Sequence, residues 1–129
     1  MTEKIGLLEP DSSHGERFAE IFNLDFHPSF WSDSGVRVQS VWGTDINRSR
    51  QLADYGQIPV IAKSPEDVVN ECDYIFVLAR HPNRHLNDAY HAIEKGKPVF
   101  VDKPLADTAD SARSLIAMAK KSEVPMISF

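Results

Sequence analysis

Short apolar runs alternate with segments of helical spacing along the whole chain. Ile5 to Leu8 form an apolar run of strand length, and Phe18, Ile21 and Phe22 then recur at i, i+3 and i+4, one face of a helix from about Ser13 to Asn23. Leu24 to Gly35 mixes aromatics with Pro, Ser and Gly, keeps neither period and reads as a long surface loop. Val36 to Gly43 is the next strand, followed by a helix from about Asn47 to Tyr55 with Gly56 in the place of a left-handed C′ residue. After a short strand near Val60, Ser64 as N-cap, Pro65 at the first helical position and the acids Glu66 and Asp67 mark a short third helix. Tyr74 to Ala79 is apolar at every position, which predicts a central strand buried on both faces. Leu86, Ala89, Tyr90 and Ile93 predict a fourth helix closed by Gly96, and Val99 to Val101 a fifth strand. Ala112, Leu115, Ile116 and Ala119 repeat the helical spacing, with Lys120 and Lys121 at the negative end, and Pro125 to Phe129 is a last apolar run.

Strands alternating with helices imply right-handed crossovers and a parallel sheet covered on both faces. The predicted class is α/β: a doubly wound, three-layer α/β/α sheet of the dinucleotide-binding (Rossmann) type, with six strand candidates. No repeat or low-complexity tract competes with it. At 129 residues the chain forms one domain. Its last apolar run has no capping helix or polar tail after it, as though a further domain should follow.

Composition narrows the function classes. Fourteen Lys and Arg against nineteen Asp and Glu give a net charge of −5 with no basic stretch, which argues against nucleic acid as a partner. The single cysteine, Cys72, forbids an internal disulfide, and the N-terminus has no basic segment leading into a long apolar run; a cytoplasmic location is expected. No apolar run approaches the roughly 18 to 20 residues of a membrane span.

Ligands of open α/β sheets bind beyond the carboxyl ends of the strands, where helix N-termini present free N–H groups. Four turns supply that rim: Glu9 to His14, Thr44 to Asn47, Arg80 to His85, and Asp102 to Pro104. Asp45 stands between a strand and a helix, where it serves either to hold an adenosine ribose or as a helix N-cap. In the first role its charge repels a 2′-phosphate and favours NAD over NADP, a preference that Arg48 and Arg50 soften. Lys103, leaving a buried strand and held by Pro104, is placed to hydrogen-bond a substrate hydroxyl or stabilise oxyanion charge, unless it is simply a solvated surface lysine. No metal is expected: His85 and His91 are six apart and face different ways, and Cys72 has no second thiol near it. Cys72, just before a buried strand and at the end opposite the rim, is read as core.

The string AIEKGKPVFVDKPLADTADSARSLIAMAKKSEVPMISF resembles the glucose-fructose oxidoreductase and inositol dehydrogenase (Gfo/Idh/MocA) family, whose members carry a similar run around E-K-P-L-A. RHPNRH, with His85 eleven residues before Gly96, looks like a variant of the family's T-P-N-x-x-H segment, and TDINRSRQLADYG like its second turn, with Asp45 in the ribose place and Arg50 as the following arginine. The resemblance implies an NAD(P)-binding domain of an oxidoreductase acting on a sugar, cyclitol or related hydroxyl compound. It implies that Asp11, Ser12, Ser13, His14 and Gly15 meet the pyrophosphate, that His81, Pro82, Asn83 and His85 line the nicotinamide side, that Asp102 adjoins the cofactor, and that Lys103 contacts substrate. A small-molecule substrate would then require a second domain, and the full-length family protein could assemble as a homo-oligomer.

Three departures accompany the resemblance. Glu9, Asp11 and His14 occupy the glycine places of G-x-G-x-x-G, leaving only Gly15 one position later, so two carboxylates are expected to face the pyrophosphate. At 4 Å each such pair costs from about 1 kcal/mol in water to about 4 at an effective dielectric of 20. DSSH nevertheless resembles a D-T-S-H turn used within the family. Asp102 stands where the family has glutamate, and the family's C-terminal domain has no counterpart in this sequence, so the chain alone is expected to be inactive. The competing reading is a non-catalytic ligand-sensing or interaction module that kept the fold and lost the dinucleotide.

Overall fold

In a computed structural model describing residues 2–128, eleven helices and strands alternate along the chain. They are β1 (Glu3–Leu8), α1 (His14–Phe22), β2 (Val36–Trp42), α2 (Ile46–Gly56), β3 (Val60–Ile61), α3 (Pro65–Glu71), β4 (Tyr74–Val77), α4 (His85–Glu94), β5 (Val99–Val101), α5 (Ala109–Lys121) and β6 (Met126–Ser128). A single 3₁₀ turn, Pro82–Arg84, leads into α4. The strands are all parallel in the order β3-β2-β1-β4-β5-β6, so the chain reverses direction across the sheet between β1 and β4. That is the doubly wound order, and it opens a crevice at the carboxyl ends of these two neighbours. Of the last apolar run, Phe129 lies outside the described residues.

Local chemistry explains the boundaries. Asp45, Ser64 and Thr108 each accept backbone N–H groups at the start of α2, α3 and α5. The left-handed residue after α2 is Gln57 (φ 53°), not Gly56 as the sequence suggested. Gly56 is the last residue of the helix, and a Cβ there would stand 2.6 Å from the Ala19 Cβ; the glycine is needed for the close approach of α2 to α1. Gly6 does the same for α3 on β1, where a Cβ would come 2.3 Å from Val68 Cγ1.

Two cores flank the sheet. Under α3, α4 and α5, Val68, Val69, Cys72, Ile75, Val77, Ala92 and Leu115 are buried; under α1 and α2, Ile5, Leu7, Val38, Val41 and Leu52 are. Strand β4 is central but is not buried equally on its two faces. Ile75 and Val77 are fully covered, whereas Tyr74 and Phe76 are only half-buried, because α1 reaches this side of β4 and β5 mainly through Phe18. The Phe18 ring centroid lies 4.8 Å from Phe76 and 5.8 Å from Phe100. Cys72 is fully buried, and burial, reinforced by Glu71 and Asp73, pushes its thiol up to about 12, as suits an inert core residue.

Candidate dinucleotide site

The four turns of the predicted rim meet at one lip of the sheet and are tied to one another by hydrogen bonds. From the β1–α1 turn, Asp11 Oδ1 accepts the Arg80 N–H after β4 at 2.7 Å. From the first residue of α1, His14 Nδ1 meets Asp102 Oδ2 after β5. The other oxygen of Asp102 accepts the Lys103 N–H at 2.8 Å, so this nearly buried carboxylate is held from two sides. Lys103 itself is exposed, its ammonium has no polar partner among the described residues, and it lines a recess of about 250 Å³ with His14, Arg17, Phe18, Phe100 and Asp102. The Lys103–Pro104 peptide bond is cis.

The expectation that two carboxylates face the pyrophosphate is met only in part: Asp11 is exposed in the first turn, whereas Glu9 is withdrawn from it. Glu9 takes the left-handed conformation (φ 57°) that a glycine in the first place of the fingerprint would favour, but its side chain turns into the protein and is 4% exposed. Its carboxylate accepts the Thr44 N–H and, at 3.2 Å, the Thr44 hydroxyl, and it lies 3.1 Å from Arg84 Nε as an ion pair. Glu9 therefore joins the ends of β1 and β2 to the start of α4, with its charge countered by Arg84. Asp11 is likewise held by a backbone N–H. Gly15 fills the third glycine role: a Cβ would come 2.8 Å from Leu52 Cδ2 and 3.3 Å from Pro10 Cβ, so its absence lets α1 settle on α2. Ser13 makes no side-chain cap, and Ser12 Oγ accepts only a long bond from the His14 N–H, 3.4 Å. The first turn of α1 thus keeps N–H groups that a helix leaves unpaired, beside two hydroxyls.

At the end of β2, Asp45 is exposed and does act as the N-cap: Oδ1 accepts the N–H groups of Asn47 and Arg48 at 3.0 and 3.3 Å. Its second oxygen has no hydrogen-bond partner among the described residues. The arginine that reaches the first turn is Arg48, not Arg50. Arg48 donates to the Pro10 carbonyl at 2.8 Å and the Ser12 carbonyl at 2.9 Å and pairs with Glu16, fastening the turn and setting a cation beneath it. Arg50 is exposed on α2 without a polar partner among the described residues.

Of the β4–α4 segment, His81 and Asn83 are exposed and Pro82 half-buried at the lip. His85, expected beside them, is fully buried: its Nδ1 and Nε2 lie 2.7 Å from the carbonyl oxygens of Pro104 and Ala79. Each ring nitrogen is covered by a carbonyl oxygen, so His85 lies between the β4 and β5 loops and does not face the crevice. One helical turn on, Asp88 is buried with Oδ2 unpaired, and burial, with Glu9 adding to it and Arg84 opposing, pushes its carboxyl up to about 6. Sequence reasoning missed Asp88 and the parts played by Arg48 in fastening the first turn and by Arg84 in pairing with Glu9; the available signal was Glu9, since a carboxylate in a glycine place must find a cation or donors if it is buried. No group of three or more His, Cys, Asp or Glu side chains among the described residues could hold a metal, and no helix among them is long and apolar enough to cross a membrane.

A six-stranded doubly wound sheet with a glycine-packed helix start and a carboxylate after its second strand defines a dinucleotide-binding Rossmann domain. Its relatives agree. The chain belongs to the Gfo/Idh/MocA family: the model described as "Oxidoreductase family, NAD-binding Rossmann fold" matches residues 19–128, beginning in the middle of α1. It is 32% identical over 90 residues, 68% of this chain and 27% of the relative, to a trans-1,2-dihydrobenzene-1,2-diol dehydrogenase of Xenopus laevis. It is 33% identical over 86 residues, 65% and 26% of the two chains, to inositol 2-dehydrogenase 1 of Saccharopolyspora erythraea. The fold superposes with a TM-score of 0.82, at 14% identity and over 99% of this chain and 35% of the other, on an oxidoreductase from Agrobacterium radiobacter in complex with NAD+, L-tartaric acid and magnesium. The chain thus spans about a quarter of the length of these curated relatives.

Proposed function

We propose that this chain is the cofactor-binding part of an NAD(P)-dependent oxidoreductase that acts on a secondary hydroxyl of a cyclitol, diol or sugar. The observation that carries the reading is the first turn. Glu9 is turned inward to Thr44 and Arg84 and one oxygen of Asp11 is held by the Arg80 backbone N–H, which leaves the start of α1 to receive an anion. The bound nicotinamide would supply the acceptor or donor of hydride. Ser12, Ser13, His14 and Gly15 would meet the pyrophosphate, the free oxygen of Asp45 a ribose hydroxyl, and His81, Pro82 and Asn83 the nicotinamide side, with Lys103 at the substrate. The names of the inositol and dihydrodiol dehydrogenases among the relatives support the substrate class.

NAD is the expected dinucleotide, because Asp45 repels a 2′-phosphate. Calorimetric titration of NADH and NADPH into the protein tests this. Saturable micromolar binding is expected, tighter for NADH. Asp45→Asn keeps a good N-cap while removing the charge, so it should weaken NADH about tenfold, the worth of one charge-assisted hydrogen bond, and narrow the gap to NADPH. Absence of binding at millimolar concentration refutes the reading in favour of a sensing module.

A further inference from the structure

We propose that the aromatic recess at the start of β2 is a second ligand site, for a small aromatic monocarboxylate, with Arg37 as the partner of the carboxylate. It lies at the amino ends of the strands, opposite the dinucleotide crevice, and stands apart from the cofactor reading. The loop between α1 and β2 builds it. Leu24 is fully buried and anchors the loop, and successive turns follow: the His27 N–H donates to the Leu24 carbonyl at 2.9 Å, the Phe30 N–H to the His27 carbonyl at 3.0 Å and the Ser34 N–H to the Trp31 carbonyl at 3.2 Å. The Trp31 N–H donates to the Ile21 carbonyl at 2.8 Å, which fastens the loop to the last turn of α1. The recess framed in this way measures about 330 Å³, at the small end of the range for small-molecule sites.

Its walls and its one cation define the ligand. Phe22, Phe30 and Trp31 line it, and Trp31 is 58% exposed, with its ring centroid 6.3 Å from that of Phe22. A large indole held on fixed backbone and left to water offers a face to a flat apolar body. Arg37, half-buried beside these rings, joins no ion pair among the described residues, unlike Arg48 and Arg84, which each pair with a glutamate. Its Nη2 lies 3.5 Å from the Gln57 carbonyl oxygen, the outer limit of a hydrogen bond, and its Nε has no partner. A guanidinium partly withdrawn from water with its donors unspent calls for an acceptor, and its planar fork matches a carboxylate. Asp25, exposed and also lining the recess, repels a second negative charge, so a monoanion is favoured over a phosphate or a dicarboxylate.

Indole ¹⁵N–¹H NMR and calorimetry test the site, with benzoate as the probe and acetate, benzyl alcohol and benzylammonium as comparisons. Benzoate should bind saturably at submillimolar concentration and move the Trp31 indole signal, assigned with Trp31→Phe, while the signal of Trp42, which packs on the opposite core, stays still. Acetate, which lacks the ring, and benzyl alcohol, which lacks the charge, should each bind more weakly by about tenfold. Arg37→Gln keeps most of the stem and should lose about tenfold in benzoate affinity. Arg37→Lys, with the charge but not the fork, should recover part of that loss. Benzylammonium that binds as tightly as benzoate overturns the assignment to Arg37, and so does benzoate that leaves the Trp31 signal unmoved at millimolar concentration. Both of these results come from the wild-type protein, so no variant has to fold. An Arg37→Gln protein that is folded by circular dichroism and keeps the wild-type benzoate affinity overturns it equally.

Discussion

Replacing Asp88 by Asn isolates the cost of the buried charge behind the crevice. Asp88 is 3% exposed on α4, its Oδ2 has no partner, and burial, with the Glu9 charge added, lifts its carboxyl from 3.8 to about 6 despite Arg84. Below the unfolded value both states carry the proton and the group has no effect on stability. Between 3.8 and about 6 the folded chain holds a proton that the unfolded chain has released, so stability falls as pH rises, and above about 6 the loss is complete. At about 1.4 kcal/mol for each pH unit across that interval, the charged carboxylate costs about 3 kcal/mol at neutral pH. Asn keeps the shape without the charge. Its stability relative to wild type should grow from near zero at pH 4 toward that figure at pH 7, less whatever Arg84 loses with its neighbour. Urea denaturation followed by circular dichroism at pH 4, 5, 6, 7 and 8 reads this directly, since the other carboxylates titrate in both proteins and cancel. A difference between the two proteins that stays constant across the range would refute the argument.

The remaining predictions concern packing and reactivity. Gly6→Ala forces a Cβ to 2.3 Å from Val68 Cγ1, and overpacking of this kind should cost about 1–3 kcal/mol in the same denaturation assay. The Cys72 thiol, fully buried and pushed up to about 12, should resist iodoacetamide at pH 8 in the native protein and react stoichiometrically in urea; prompt labelling of the folded chain would contradict its place in the core.

Much of the fold was legible in the sequence because parallel strands and amphipathic helices write different periods into the chain. Ile5 to Leu8, Val36 to Gly43 and Val99 to Val101 correspond to strands, and the caps at Ser64 and Gly96 lie where their chemistry requires. Less legible were glycines whose purpose is contact. Gly56 looked like a left-handed helix end, yet it is helical and allows α1 to approach, a need created by Ala19, 37 positions earlier. Tyr74 to Ala79 carried the composition of a strand covered on both sides, but whether a helix lies over each side is decided by chain segments elsewhere.

For the site, the sequence by itself determined which turns share the lip of the sheet and which chemistry each contributes, because loop position follows from the alternation of elements. Only the tertiary structure decided which way each side chain faces. It turned Glu9 inward to Thr44 and Arg84, brought Arg48 rather than Arg50 to the first turn, buried His85 between two carbonyls, and joined His14 to Asp102 across 88 residues. Such pairings are set by desolvation and hydrogen-bond geometry between distant segments, and a one-dimensional pattern carries neither.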